Sequence, residues 1–268
     1  GGVPNLGIYA VFGFYCLSGY LMTLIMQTNY GFTAAGVTKY AVNRFLRIYP
    51  IYWVSILFSA ALIWSLGSDF TASYHESMFL PEDFSELARN LMLFFSFRDS
   101  PRLTPPAWAL TVEIFFYILI GIGISRYKHI TIIWFIISAI YHVVALVFQL
   151  RWNHRYFTIY AASLPFATGA LIFHYRYDFV RHVNLLPDKM YHYLPYILAS
   201  IILVNWGLGL LTSQPAGVFF YSNYILCAAM VAVLSDRKKL PYINRKYDKW
   251  MGDFSYPIYL IHYQAGLV

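Results

Sequence analysis

A single carboxylate stands inside an otherwise apolar stretch of this sequence. Glu113 lies about six residues into the apolar run 107–124. An acid near the centre of a membrane span costs about 2.5–3.5 kcal/mol on insertion scales, so it should face the protein interior or a wet cavity and have a partner. Chemistry alone leaves two interpretations open, a structural bond between helices or an acid in a reaction or transport pathway.

Two arginines, Arg44 and Arg47, stand three residues apart immediately before another apolar run. On a helix, side chains at this spacing share a face. Paired guanidinium groups suit phosphate oxygens, which accept bidentate hydrogen bonds. Basic residues also flank the cytoplasmic ends of most membrane spans and contact lipid headgroups there, and the spacing alone favours that simpler interpretation.

Histidine supplies the third candidate. His262 lies about nine residues into the last apolar stretch, where an imidazole could accept or relay protons near neutral pH. A histidine that only packs between helices is the simpler interpretation, and the same alternatives hold for His142. No histidine spacing indicates a metal site, and Cys16 and Cys227 are interpreted as packing residues.

The composition shows what kind of element carries these residues. Of the 268 residues, 59% are hydrophobic and 12% are charged, whereas a soluble domain has about 45–50% and about 25%. An ordinary soluble enzyme is therefore excluded, and the 25 Tyr, 22 Phe and 7 Trp exclude a disordered chain. We expect an all-α, polytopic transmembrane helix bundle that forms one membrane domain over residues 1–268.

Eight apolar stretches approach or reach the length of about 20 residues that a helix needs to cross a bilayer. The last stretch is too short for a full span, and the chain begins with two glycines, so we expect the domain to be incomplete at its N-terminus and also at its C-terminus. Glycines in these stretches are interpreted as close helix contacts, namely Gly13, Gly19, Gly121, Gly123 and Gly169. The predicted spans lie near 8–27, 49–67, 107–124, 130–150, 156–174, 192–211, 217–234 and 254–268.

The basic residues are distributed unequally between the two sides of these spans. Fourteen of the 19 fall on one side, in the loops 28–48, 125–129, 175–191 and 235–253. The positive-inside rule places that side in the cytoplasm. The net charge of +7 then needs no nucleic acid to explain it.

The longest segment on the opposite side, 68–106, is net acidic. Within it, Pro81, Glu82 and Asp83 begin a plausible helix, with acids in the first turn and Phe84, Leu87, Leu91 and Phe94 or Phe95 along one stripe. We expect an interfacial or re-entrant helix near 82–97.

Four strings, in this order, resemble the acyltransferase-3 family of integral membrane O-acyltransferases. Residues 12–21 (FGFYCLSGYL) are similar to that family's FFVLSGYL span, and residues 44–50 (RFLRIYP) to its RxxRIYP element. Residues 106–117 (PAWALTVEIFFY) resemble P-x-W-S-L-x-x-E-x-x-F-Y, with Ala109 where Ser is usual. Residues 251–262 (MGDFSYPIYLIH) resemble LGxxSYxxYLxH, so the resemblance extends over nearly the whole chain.

The resemblance implies transfer of an acyl group, usually acetyl, from cytoplasmic acyl-CoA to a hydroxyl of a carbohydrate or glycolipid acceptor. In many members the acceptor is on the outer side, and the enzyme is a multi-pass protein of the plasma (inner) membrane. The implied partners are the lipid bilayer, acyl-CoA and the acceptor, with no metal and no nucleic acid. By the same resemblance Arg44 and Arg47 bind the donor's phosphates, Glu113 and His262 support catalysis, and four residues line the substrate cavity: Trp108, Tyr117, Ser255 and Tyr256.

The family's catalytic histidine belongs to a first span, within an Arg-x10-His element that would precede residue 1. We therefore expect the sequence as it stands to be inactive without that residue, because the acceptor hydroxyl needs a general base. The alternative function is a proton-coupled transporter or permease that uses Glu113 and His262. A structural membrane scaffold is a third class, although it leaves the 108–117 element unexplained.

Overall fold

A computed structural model describes residues 6–95, 101–183, 187–212, 216–235, 237 and 243–267. Every regular element in these residues is a helix, which confirms the all-α class. A π-helical turn, Met26–Tyr30, follows α1 directly. The helices are α1 (Leu6–Ile25), α2 (Ala34–Leu66), α3 (Ser68–Tyr74), α4 (Phe84–Met92), α5 (Ala107–Gly121), α6 (Lys128–Val147), α7 (Trp152–Tyr156), α8 (Ile159–Val183), α9 (Asp188–Leu211), α10 (Val218–Leu234) and α11 (Arg245–Ala265).

Among the residues that the structure describes, five helical runs are long and apolar enough to cross a membrane by length and composition. Two shorter apolar helices, α5 and α10, match two further predicted spans. The bundle is therefore polytopic, as the apolar stretches predict. The five runs are Gly7–Tyr30, Ala34–Leu66, Lys128–Val147, Trp152–Arg181 and Met190–Leu211.

Two helices begin well before the spans that the sequence predicts. The helix α2 starts at Ala34 rather than near residue 49, and α11 starts at Arg245 rather than near residue 254. Apolar length marks only the part of a helix that lies in lipid, whereas the backbone continues as a helix into polar sequence. Arg44 and Arg47 consequently lie on α2 itself, as their proposed shared face requires.

The described residues form two compact units. Unit 1 contains Gly1–Val37 and Phe116–Tyr242, and unit 2 contains Thr38–Phe115 and Ile243–Val268. The boundary between the units runs through α2 and α5, so each of these helices contributes to both.

In unit 1, α1 and α8 pack with their backbones in direct contact. A Cβ atom added at Gly169 would lie 1.9 Å from the Cys16 carbonyl oxygen, and one at Gly19 would lie 2.2 Å from the Phe166 carbonyl oxygen. Only glycine permits this approach, and small residues commonly hold membrane helices together in this way. The predicted role of Gly19 and Gly169 is confirmed. Gly123 is different, because it lies in a turn with a φ of +108°, a conformation that favours glycine.

In unit 2, the predicted helix near 82–97 is present as α4. The Asp83 carboxylate accepts a hydrogen bond from the Glu86 backbone N–H at 2.7 Å, and the Glu86 carboxylate accepts one from the Glu82 N–H at 2.8 Å. This reciprocal cap fixes the start of the helix. Leu93, with a φ of 56°, ends it earlier than expected, and residues 96–100 lie outside the described part of the chain.

The middle of α2 holds the C-terminal end of α4. The Tyr52 hydroxyl donates to the Asn90 carbonyl at 2.7 Å, the Trp53 indole to Leu91 at 3.0 Å, and the Tyr49 hydroxyl to Met92 at 2.9 Å. The last carbonyls of a helix have no partner within the helix, so these three bonds satisfy groups that would otherwise need water. α4 therefore packs beside α2 and not beyond its end, which favours the re-entrant interpretation.

The buried segment 101–106 leads from α4 into α5. The fully buried Asn90 side chain donates to the Pro101 carbonyl and accepts from the Leu103 N–H, both at 3.0 Å. The helix α5 has 15 residues and is therefore about 22 Å long, which is shorter than the ~30 Å hydrocarbon core. The buried segment 101–106 precedes this helix, and the Asn90 side chain satisfies two of its backbone groups.

Candidate functional site

The two arginines lie on α2 one turn apart. Arg44 is half-buried and donates from Nη2 to the Asn43 side-chain oxygen at 3.0 Å. Arg47 is exposed, and within the described part of the chain no side chain hydrogen-bonds or ion-pairs with it. A guanidinium in this setting is available to an anion from outside the protein.

The carbonyl that follows Arg47 connects α2 to α11. The Tyr256 hydroxyl donates to the Ile48 carbonyl oxygen at 2.9 Å. The same hydroxyl lies within electrostatic range of the Glu113 carboxylate on α5 and of the Tyr49 hydroxyl. Tyr256 thus brings together three elements that are far apart in the sequence, the RFLRIYP string, Glu113 and the SY pair.

Glu113 is half-buried, as an acid within an apolar helix should be. Its nearness to the Tyr256 hydroxyl gives it the polar neighbour that its position predicts. Because the Tyr256 hydroxyl proton is donated to the Ile48 carbonyl, the Glu113 carboxylate and the acceptor side of this hydroxyl can together orient a polar ligand that carries its own donor.

The other predicted cavity residues are dispersed. Trp108 is half-buried in the first turn of α5. Tyr117 belongs to unit 1, where its hydroxyl lies 3.5 Å from the Ser18 hydroxyl. Ser255 is exposed, and its hydroxyl donates to the Gly252 carbonyl of the same helix at 2.7 Å. Of the four predicted cavity residues, Tyr256 is the one whose neighbourhood includes Glu113.

His262 lies further along α11, six residues after Tyr256, or about 9 Å along the helix axis. Its Nδ1 lies 2.7 Å from the Tyr259 carbonyl oxygen. A carbonyl can only accept, so Nδ1 carries the proton and Nε2 of the neutral ring is the nitrogen that can take one up. The ring is exposed and contacts the Tyr263 ring at 4.5 Å between centroids.

His142, in contrast, is a packing residue of unit 1. It is 3% exposed, with Nε2 2.9 Å from the Ala161 carbonyl oxygen and Nδ1 3.3 Å from the Tyr221 hydroxyl. Both nitrogens have partners, which favours the simpler of its two interpretations.

Sequence reasoning did not single out His75, a polar residue that contacts the end of α11. His75 follows α3, and its ring meets the Tyr263 ring edge-on at 4.9 Å. Arg102 is 5% exposed and acts electrostatically on both rings. Burial, and then the Arg102 charge, hold the pKa of His75 below its ordinary value, with Glu76 acting in the opposite direction. The one signal in the sequence was that Arg102 lies within the net acidic segment 68–106.

The residues at 6–95, 101–183, 187–212, 216–235, 237 and 243–267 contain no group of three His, Cys, Asp or Glu side chains arranged to hold a metal ion.

Comparison with known proteins gives one family. The family model described as an acyltransferase domain, that of acyltransferase-3, matches residues 2–267. No curated protein and no solved structure matches the chain. The match includes all four strings that carry the resemblance, and the apolar helices agree with a multi-pass membrane protein. The chain therefore belongs to the acyltransferase-3 family of membrane acyltransferases.

Proposed function

We propose that this acyltransferase moves an acyl group, in the simplest case acetyl, from cytoplasmic acyl-CoA to a hydroxyl of a carbohydrate or glycolipid. The acceptor lies on the outer side of the plasma (inner) membrane. Residues 1–268 act as one membrane domain in this proposal. The position of Tyr256 carries it, because its hydroxyl bonds the carbonyl that follows Arg47 and lies within electrostatic range of the acid in the apolar helix α5.

The donor end of the site is the face of α2 that carries Arg44 and Arg47. CoA carries a diphosphate and a ribose phosphate, and forked guanidinium groups bind such oxygens bidentately. The excess of basic residues on this side of the spans supports a cytoplasmic location, where acyl-CoA is found. The absence of a described ion pair at Arg47 leaves its charge available for the donor.

Glu113 and Tyr256 act next to this donor end. The carboxylate and the hydroxyl orient the thioester part of the donor, while Trp108 and Ser255 contribute to the cavity in which donor and acceptor meet. An acid within an apolar helix is costly, so the presence of Glu113 supports a role in orienting or polarising a reactant.

The reaction is attack of the acceptor hydroxyl on the thioester carbonyl carbon. A C–O bond forms, the C–S bond breaks, and the hydroxyl proton passes to a base and then to the departing CoA thiolate. The resemblance assigns this base to a histidine of a preceding span. His262 supports it, since its Nε2 is free to accept a proton.

The test is acetyl transfer from labelled acetyl-CoA in membranes of cells that express the whole gene. Arg44→Ala and Arg47→Ala should each raise the KM for acetyl-CoA about tenfold or more, because a hydrogen bond to a charged group is lost. Lys246→Ala removes an exposed positive charge on α11 and is the matched control, with an unchanged KM. Wild-type kinetics in both arginine variants would contradict the donor site.

The transporter hypothesis, which gives Glu113 and His262 to a proton or substrate pathway, has no observation of its own in its favour. The family match supports transfer chemistry instead. Uptake of substrate by vesicles without any use of acetyl-CoA would restore it.

A further inference from the structure

A second polar site in unit 2 lies beside the C-terminal half of α2, further along the helix than the arginines. Thr104, two residues after Arg102, has its hydroxyl 3.2 Å from the Ser55 hydroxyl. Gln264, next to Tyr263, hydrogen-bonds with Ser59, which lies twelve residues or about 18 Å along α2 from Arg47. α3 follows, and His75 comes directly after it. With Arg102 and Tyr263, His75 forms what we name the His75 cluster.

The hydrogen bonds of His75 determine which of its nitrogens is open. Nδ1 accepts a bond from the Ser77 backbone N–H at 3.3 Å, and the Ser77 hydroxyl lies 2.8 Å from the same nitrogen. Since a backbone N–H can only donate, the proton of the neutral ring is on Nε2. Within the described ranges no acceptor is bound to that Nε2–H.

Tyr263 and Arg102 complete the cluster. The Tyr263 hydroxyl makes no hydrogen bond within the part of the chain that the structure describes, although its ring is half-buried between His75 and His262. The Arg102 guanidinium supplies a positive charge to both neighbours, and its backbone N–H donates to the Ser77 carbonyl at 2.8 Å, which fixes the two loop segments together.

We propose that the His75 cluster binds an oxyanion, a carboxylate or a phosphate, on the acceptor. Two donors, His75 Nε2–H and the Tyr263 hydroxyl, belong to rings in edge-on contact near the buried Arg102 charge. This combination is suited to an anionic oxygen group, because hydrogen bonds to a charged acceptor are stronger than those to a neutral one. The nearby Arg102 charge attracts an anion at longer range and does not attract a neutral sugar in this way. The inference rests on the proposed function and names the class of its acceptor.

His262 connects the cluster to the chemistry. Its ring contacts Tyr263, and its Nε2 is the nitrogen that can accept a proton. An acceptor anchored by its oxyanion at the His75 cluster therefore presents its hydroxyls beside a base. If the phosphates of CoA bind at the arginines, its flexible pantetheine arm is the part of the donor that must extend toward the C-terminal half of α2.

The experiment measures equilibrium binding to the purified full-length protein in nanodiscs. The probes are D-glucuronate, inorganic phosphate and, as the neutral control, D-glucose. We expect glucuronate or phosphate, or both, to bind at least tenfold more tightly than glucose. Binding of glucuronate alone identifies a uronic acid type of acceptor, and binding of phosphate alone a phosphorylated one. Equal binding of all three probes overturns the inference.

Three variants test whether the binding occurs at the cluster. Tyr263→Phe removes one hydroxyl, and His75→Asn keeps an acceptor for Ser77 but removes the Nε2 donor, so each should weaken binding about tenfold. His75→Gln places an amide donor near the position of Nε2 and should recover part of the affinity. Tyr247→Phe, at the exposed start of the same helix, is the matched control and should bind as the unchanged protein does. Unchanged affinity in the first two variants overturns the inference.

Acetyl-CoA binding, measured on the same preparation, separates this inference from the proposed function. Acetyl-CoA binding without any preference for anions overturns only the acceptor class. Anion binding that depends on Tyr263, without acetyl-CoA binding, overturns the proposed donor and supports the His75 cluster as an anion site.

Discussion

His142 in unit 1 uses its ring nitrogens differently from His75 and His262 in unit 2. In unit 1, His142 is 3% exposed, and both of its nitrogens have partners, the Ala161 carbonyl and the Tyr221 hydroxyl. In unit 2, His75 and His262 each hold a partner through Nδ1 within their own segment and leave Nε2 for something else. A buried polar group that is fully bonded stabilises a fold, whereas one that is half bonded at an accessible position can bind a ligand.

Backbone packing shows the same difference. In unit 1, the backbones of α1 and α8 are in contact at Gly19 and Gly169. In unit 2, side chains of α2 bond the last carbonyls of α4, and the Asn90 amide bonds backbone groups of the non-helical segment before α5. Unit 1 therefore has the construction of a rigid scaffold, and unit 2 carries groups that can respond to a ligand.

The largest expected effect is on the contact between α1 and α8. Gly169→Ala places a Cβ atom 1.9 Å from the Cys16 carbonyl oxygen, where backbone must move, and we expect a loss of about 3 kcal/mol of stability or no folded protein. Gly207→Ala is the control, since a Cβ atom there meets nothing within 4 Å. Thermal unfolding in detergent compares them, and equal stability of the two variants would contradict the close packing.

A smaller effect separates the two kinds of histidine. His142→Leu removes both hydrogen bonds of a buried ring and takes its donor from the Ala161 carbonyl, which Pro165 cannot supply, so stability should fall by about 2 kcal/mol. His262→Leu should leave the unfolding temperature nearly unchanged and reduce acetyl transfer. If His142→Leu reduced transfer at unchanged stability, the distinction between the units would be wrong.

Asn223 is the exception in unit 1 and offers a test in the opposite direction. It is fully buried on α10, and neither atom of its amide has a hydrogen-bond partner among the residues that the structure describes. Replacing an unsatisfied buried amide by an apolar group of similar size removes a desolvation cost. Asn223→Leu should therefore raise stability by about 1 kcal/mol in chemical denaturation. A loss of stability would show that the amide has a partner, such as a bound water.

The smallest expected effect is a dependence of stability on pH through His75. The folded protein lowers the pKa of His75 below the ordinary value of about 6.5, so the neutral ring is favoured in the folded state. The stabilisation is present above pH 6.5 and is lost as the pH falls from there through the lowered pKa. Arg102 acts in the same direction as burial, Glu76 opposes it, and the Tyr263 ring packs against the imidazole.

The measurement is the unfolding temperature at pH 7.5 and pH 5.5. We expect a decrease of a few degrees at the lower pH, and His75→Gln should make it smaller. An increase in stability on acidification that disappears in His75→Gln would mean that the folded state favours the charged ring.

The helices could be predicted because the local sequence of each helix reflects its environment. Apolar length marks the spans, and the spacing of Asp83 and Glu86 marks the start of α4. The depth of α4 could not be predicted, because it is determined by bonds from Tyr49, Tyr52 and Trp53, some forty residues before the carbonyls they reach. The early starts of α2 and α11 were missed since a polar helical extension has no apolar signal.

The site was predictable only in part. The cost of a carboxylate in lipid identifies Glu113 without any structure. Its neighbour Tyr256 lies in a string that the resemblance includes, but only the folded chain shows that the two are close. The positions of His75 and Arg102 in the sequence do not predict that they lie together, because loop contacts bring them to Tyr263. Gly123 was misinterpreted, since a positive φ and a helix contact both select glycine.

The central claim is that Arg47 and Glu113 serve one acyl-transfer site, linked through Tyr256. The most direct test is steady-state acetyl transfer from acetyl-CoA by the full-length protein, with Arg47→Ala and Glu113→Gln measured side by side. We predict that Arg47→Ala raises the KM for acetyl-CoA about tenfold, while Glu113→Gln lowers kcat about a hundredfold at an almost unchanged KM. Wild-type kcat and KM in Glu113→Gln would contradict the account.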